Sequence, residues 1–177
     1  ALIAARERVT DFASNDITTS LGTIGVINGS GSSYTATYTP TEDKTGTATI
    51  SIVLGVFHDL EGNANATTST LAITVDTTSP SVTITSTNQV GVGGTATLTF
   101  SFSEVASNFV SDDITASIGS IGAISGSGSS YTAIYTPNVG VTGTDTISIA
   151  IGAFDDLAGN ANVVASNTKT ISIDTIS

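Results

Sequence analysis

The chain has 177 residues, 15 Asp and Glu against 4 Lys and Arg, a formal charge of −11, and no Cys, Met or Trp. Its 39% hydrophobic content argues against disorder, and four cations are too few to neutralise a phosphate backbone, which excludes nucleic acid as a partner. The cysteine count rules out disulfides, thiol chemistry and Cys-type zinc sites; no apolar run reaches a membrane span and no basic n-region with an h-region opens the chain, so a mature segment of a larger secreted protein is expected.

Taken in order, the chain reads as two copies of one unit. Residues 17–65 realign with residues 114–162 at a constant offset of 97, with 33 identities in 49 positions. The longest shared block, Gly-Ser-Gly-Ser-Ser-Tyr-Thr-Ala, occurs at 29–36 and again at 126–133. Upstream, Glu7 matches Glu104, Phe12 matches Phe109 and Asp16 matches Asp113. Near the end the offset becomes 98, so Val75-Asp76-Thr77 pairs with Ile173-Asp174-Thr175 through one inserted residue. The expected modules are residues 1–78 and 79–177. Residues 81–97 of the second have no counterpart before Ala1, so the first module lacks its N-terminal strand. The opening residues 1–8 keep only the Glu of the segment they should match, and are divergent or foreign.

Period-two alternation is the dominant pattern. Leu98, Phe100 and Phe102 are separated by Thr or Ser, and the same alternation recurs in Ile147, Ile149 and Ile151 (with Ser148 and Ala150 between), then in Ile171 and Ile173. Each set lines one sheet face, with β-branched Thr on the wet face. Turn clusters of Gly, Pro, Asn and Asp predict strands near 82–86, 95–103, 113–118, 120–125, 129–136, 144–151 and 167–174. Seven short strands in one module predict an all-β fold, two tandem immunoglobulin-like β-sandwiches, although the Cys-Trp-Cys core of antibody domains is absent.

The acidic residues fall at strand ends. Glu104 closes the second strand, residues 155–162 (Asp-Asp-Leu-Ala-Gly-Asn-Ala-Asn) follow the sixth, and Asp76 ends the last strand of copy one. Alternating strand direction brings Glu104, the loop of Asp155, Asp156 and Asn160, and the linker with Asp76 to one end of the second module. Hard oxygen donors there suit Ca2+, which takes six to eight oxygens in flexible geometry. Asp-x-x-Gly-Asn is equally the pattern of an ordinary turn whose side chains accept local backbone N–H bonds. Both readings stand. Asp16 and Asp113 read equally well as strand starters.

Phe-Ser-Glu-x-x-x-x-Phe at 102–109, Asp-Ile at 113–114, Tyr-Thr-Ala at 131–133, Gly-Ala-Phe at 152–154, Asp-x-Ala-Gly-Asn at 156–160 and the linker at 75–80 together resemble a known pattern. It is that of the bacterial Ig-like repeat modules of large calcium-dependent surface adhesins, the RTX-type adhesin stalk repeats. The resemblance covers all of copy two, and copy one from about Glu7. It implies beads in a stalk with calcium at module junctions: Asp76, Glu104, Asp156 and Asn160 at one, and Glu7, Asp59, Asn63 and Asp174 at the neighbouring ones. Copy one departs where Glu61 replaces Ala158, and its altered opening strand puts its own upper site in doubt.

Catalytic chemistry finds no support. His58 is the only histidine, its repeat partner is Asp155, and a solvated or minor ligand role suits it better than that of a base. Copy two has serines without a histidine, so no triad forms there. Asp155 and Asp156 are adjacent rather than set across a cleft. The four tyrosines alternate within strands as packing residues, and residues 91–94 lack the helix and Lys of a phosphate loop. Asn-Gly-Ser at 28–30 and Asn-Ala-Thr at 65–67 are sequons of a kind that chance supplies in a Thr/Ser-rich chain. The expected role is a non-enzymatic, secreted, cell-surface spacer whose partners are neighbouring modules. Two rivals are a filament subunit, in which a strand from another copy completes the first module, and a carbohydrate-binding module.

Overall fold

The computed structural model describes the backbone of residues 2–4 and both backbone and side chains of residues 7–177. Contacts divide the chain into two units, Ala1–Thr78 and Ser79–Ser177. The described residues contain strands and two short 3-10 turns, and no α-helix.

The first unit holds β1 (Leu2–Ala4), β2 (Ile17–Thr19), β3 (Gly22–Ile24), β4 (Asn28–Ser30), β5 (Ser33–Thr35), β6 (Tyr38–Pro40), β7 (Thr45–Ile52) and β8 (Ser69–Asp76). They pair as β1-β5-β4, β2-β7-β8 and β3-β6. The divergent opening still makes a strand. Ile3 sits opposite Tyr34, the register that Phe100 and Tyr131 adopt in the second unit.

The second unit adds β9 (Val82–Thr85), β10 (Gln89–Val90), β11 (Ala96–Phe102), β12 (Ile114–Thr115), β13 (Gly119–Ile121), β14 (Ser125–Ser127), β15 (Ser130–Pro137), β16 (Thr142–Ile149) and β17 (Lys169–Asp174). One sheet runs β10-β17-β16-β12; the other runs β13-β15-β11-β9, with β14 also on β15. The segment 82–90 serves both sheets. Its β9 lies antiparallel on β11, and its β10 lies parallel on β17. A two-residue parallel strand leaves no alternation to read, and the sequence pattern misses β10. The expected strand over 120–125 is likewise broken into β13 and β14, with only Gly122 N still donating to Ile134 O (2.8 Å) between them.

Alternation puts Leu98, Phe100, Ile147, Ile149 and Ile171, all 0% exposed, between the sheets. Each side chain of that size stabilises the fold by about 1.5–3 kcal/mol on burial. Phe102 and Phe109 meet Phe154 and each other edge-on, with ring centroids 4.8–6.1 Å apart, the arrangement that ring quadrupoles favour. Asp16 and Asp113 each cap a 3-10 turn: Ala13 N donates to Asp16 Oδ2 and Val110 N to Asp113 Oδ2, both at 2.8 Å. Gly29 and Gly126 sit at φ +135 and +127, where a Cβ would come within 2.4 Å of the facing strand's carbonyl oxygen. The shared Gly-Ser-Gly block therefore fixes a hairpin.

One buried charge interrupts this core. The pattern Thr-Gly-Thr-Asp-Thr-Ile-Ser-Ile of β16 points Asp145 inward, at 0% exposure. Its Oδ1 accepts from Ser117 N (2.9 Å) and Ser117 Oγ (2.8 Å), and its Oδ2 accepts from Ile118 N (2.9 Å) and Tyr135 Oη (2.7 Å). Burial raises its pKa, but these donors outweigh burial and hold it at about 2. Burial, then the adjoining carboxylate, raises the Tyr135 phenol.

Candidate cation sites at the strand ends

In the second unit, backbone tethers fix the end of β11. Ser81 N donates to Ser103 Oγ and Ser103 N to Ser81 O, each at 2.9 Å, so the chain enters the unit beside Glu104. Ser107 N donates to Asp155 O (2.9 Å) and Ala106 bridges Asp156, which ties residues 104–107 to the loop after β16. That loop is built on Asn162, 1% exposed. Its Oδ1 accepts from Ala153 N (2.8 Å) and Phe154 N (3.2 Å), while its Nδ2 donates to Ala150 O (2.8 Å) and Val164 O (2.9 Å). Every polar atom of the amide is used, so the loop is held without help from its acids.

On this frame Asp156 is 2% exposed. Its Oδ1 accepts from Asn160 N (2.9 Å) and its Oδ2 from Asn160 Nδ2 (2.7 Å). Burial pushes its carboxyl up, but the Asn160 side chain and backbone, then the backbone N–H groups of Ala158 and Gly159, hold it below the usual range. The turn reading of Asp-x-x-Gly-Asn therefore describes real bonds. It does not displace the metal reading, because half-buried Glu104 brings a carboxylate oxygen within 4.8 Å of one on Asp156. Two carboxylates that close repel by about 4 kcal/mol at an effective dielectric of 20. A cation removes that cost.

The first unit repeats the device with other residues. Val9 bridges Asp59 as Ala106 bridges Asp156, and Asn65 repeats the bonds of Asn162. Asp59 Oδ1 accepts from Glu61 N (3.0 Å) and Asn63 N (2.8 Å), and its Oδ2 from Asn63 Nδ2 (2.8 Å). The Asn63 side chain, then its backbone N–H, holds the Asp59 carboxyl below its ordinary value. Glu7, Asp59 and Glu61 place carboxylate oxygens within 4.8 Å of one another. With Arg8, Leu60 and Asn63 they line a shallow depression of about 540 Å³. Glu61, read from sequence only as a departure from copy two, thus adds a carboxylate to this group.

The remaining candidates make bonds of their own. Asp155 Oδ2 accepts from Asn108 Nδ2 (3.0 Å), and Asp155 N donates to Asn108 Oδ1 (2.7 Å). Asp76 ends β8 and accepts at Oδ1 from Thr45 Oγ1 (2.8 Å). Asp174 is exposed at the end of β17, opposite Thr142. His58, for which sequence reasoning expects a solvated or minor ligand role, is engaged by a carboxylate: its Nδ1 lies 2.7 Å from Asp11 Oδ2, and its backbone N donates to Asp11 Oδ1 at 2.7 Å. The His58 backbone N–H, then its side chain, lowers the Asp11 pKa. Asp11–His58 is the counterpart of Asn108–Asp155. Two mismatches of the repeat compensate each other, a signal the sequence carries when both are read together.

The donor set of both groupings is carboxylate and amide oxygen, with no thiol in the chain and its one imidazole bonded elsewhere. Such donors fit Ca2+ better than a soft transition metal. The sequence pattern of the bacterial Ig-like domain matches residues 2–75 and again residues 76–173. The chain belongs to that family. Comparison with curated proteins and with solved structures returned no match. The second bacterial Ig-like copy begins at Asp76, which sets that carboxylate at the head of the copy whose body carries Glu104 and Asp156.

Proposed function

We propose that these two bacterial Ig-like modules are structural spacers of a secreted surface adhesin of the RTX type, and that calcium stiffens the array at module ends. In the second module Glu104 and Asp156 supply the ligand carboxylates, Asn160 an amide oxygen, and linker residue Asp76 a further carboxylate. In the first module the ligands are Glu7, Asp59, Glu61 and Asn63. The role is non-catalytic and depends on neighbouring modules of the same polypeptide.

The observation that carries this reading is the approach of Glu104 and Asp156 to within 4.8 Å on a scaffold anchored by other bonds. When bound, a divalent cation supplies charge neutralisation; the chain supplies the spacing. Calorimetric melts in calcium, magnesium and EGTA test it. A ligand that binds only the folded state stabilises it by about 2.7 kcal/mol at a hundredfold excess over Kd. Calcium is expected to raise the melting temperature, with Glu104→Gln removing most of the rise. Superimposable melts in calcium and EGTA overturn the assignment.

A further inference from the structure

Asn28 and Asn65 both open sequons, and the fold treats their amides oppositely. Asn65 anchors its loop through both polar atoms of the side chain. Asn28 is exposed, and its Nδ2 reaches Val26 O at 3.4 Å, beyond the usual range of a hydrogen bond. Asn28 is also the one asparagine of the chain that glycine follows.

The hairpin imposes that glycine. Gly29 sits at φ +135, and a Cβ there would lie 2.3 Å from Ser33 O, so no side chain crowds the Asn28 amide from the next residue. The strands β4 and β5 are joined by a two-residue loop, Gly31 and Ser32, closed by Ser30 opposite Ser33. Such a loop is closed by a hydrogen-bonded pair, and alternation then makes Gly29 and Tyr34 a non-hydrogen-bonded pair. The Gly29 N–H therefore points away from β5, off the outer edge of β4. In the second module, among the described residues, β14 likewise pairs with β15 alone, so this edge belongs to the module plan and not to where the chain begins.

We propose that Asn28-Gly29 is a site of self-modification, at which the chain deamidates through a succinimide. The Gly29 N, having lost its proton to base, attacks Asn28 Cγ. A Cγ–N bond forms, the Cγ–Nδ2 bond breaks, and Nδ2 leaves as ammonia after taking up a proton. Water then opens the five-membered ring at either carbonyl, which leaves aspartate or isoaspartate. Water is the co-reactant, and no atom changes oxidation state. Either product adds one negative charge to the formal −11. Isoaspartate also inserts a side-chain carbon into the backbone of β4, which breaks the register of Asn28 with Thr35. The second module carries Ser125 at the matching place, in the same register, and cannot react. This inference is independent of the calcium reading.

The test is peptide mapping by mass spectrometry after the intact, folded chain has stood at mildly alkaline pH. The peptide bearing Asn28 is expected to gain about 1 Da and to split into aspartate and isoaspartate forms, about tenfold or more faster than any other asparagine reacts. Asn28→Ser is expected to abolish the gain and, because the second module folds with Ser at this place, to leave the melting curve unchanged. Conversion in urea with none in the folded chain overturns the proposal, since the hairpin then shields the bond. Equal conversion at Asn15 or Asn65 overturns it as well. Aspartate without isoaspartate also overturns it, in favour of direct hydrolysis of the amide.

Discussion

The two modules share one strand plan and differ in how each spends the same interior position. In the second, Asp145 collects five donors, from Ser117 (N and Oγ), Ile118, Tyr135 and Thr146. In the first, its counterpart is Ala48, also 0% exposed; there Tyr38 donates instead to the Leu21 carbonyl, and Thr49 N donates to Ser20 Oγ at 3.0 Å. A buried carboxylate is thus not required by the fold. It is one of two self-consistent ways of satisfying the same turn, and each binds its neighbours to the choice.

Breaking that correspondence gives the largest expected effect. Asp145→Ala leaves five donors without their acceptor, the buried Tyr135 hydroxyl among them, and is expected to destabilise the second module by about 3–5 kcal/mol. Ala48→Asp, which buries a charge where the donors are already engaged, is expected to destabilise the first; urea unfolding followed by hydrogen exchange assigns each loss to its module. Acid sharpens the contrast. The folded pKa of Asp145, about 2, lies below the ordinary carboxyl value. Its stabilisation, about 2 kcal/mol, is therefore full above about pH 4 and disappears as pH falls towards 2. Far-UV melts between pH 5 and pH 2 should show Asp145→Ala losing less stability over that range than wild type.

Next in size is the loop anchor. Asn162→Ala, at a 1% exposed position, is expected to cost about 2–3 kcal/mol. Asn65→Ala, half-buried and open to water, should cost about 1 kcal/mol. Equal losses in thermal melts would show that the loops are equally dry. The smallest effect is expected from exchanging the hydrogen-bonded pair Asp11 and His58: Asp11→Asn with His58→Asp, the second module's combination, should move the melting midpoint by no more than about 2 °C.

Much of this was readable in the sequence, because period-two alternation and a 97-residue offset survive substitution. The strands, the repeat and the acidic loop of Asp156 follow from them. Asp145 was readable too: it takes an inward slot between Thr144 and Thr146, but a reader tracking acids at strand ends passes over one in mid-strand. The Glu104–Asp156 approach depends on backbone tethers such as Ser81–Ser103, which have no pattern of their own. The Asp155 carboxylate, assigned by its neighbour's motif, is drawn aside by Asn108, a residue 47 positions away. Adjacent acids are not equivalent when the backbone points them apart.

The parallel contact between β10 and β17 bears on how the second module answers a pull. Gln89 pairs with Ser172 and Val90 with Ile173, and Ser172 N donates to Asn88 O at 2.8 Å. These strands lie near opposite ends of the module's chain and run the same way. Tension applied at those ends slides one along the other and loads their bonds together. An antiparallel pair pulled from its open end would instead unzip bond by bond. The short strand that completes the sheet is thus also a shear clamp.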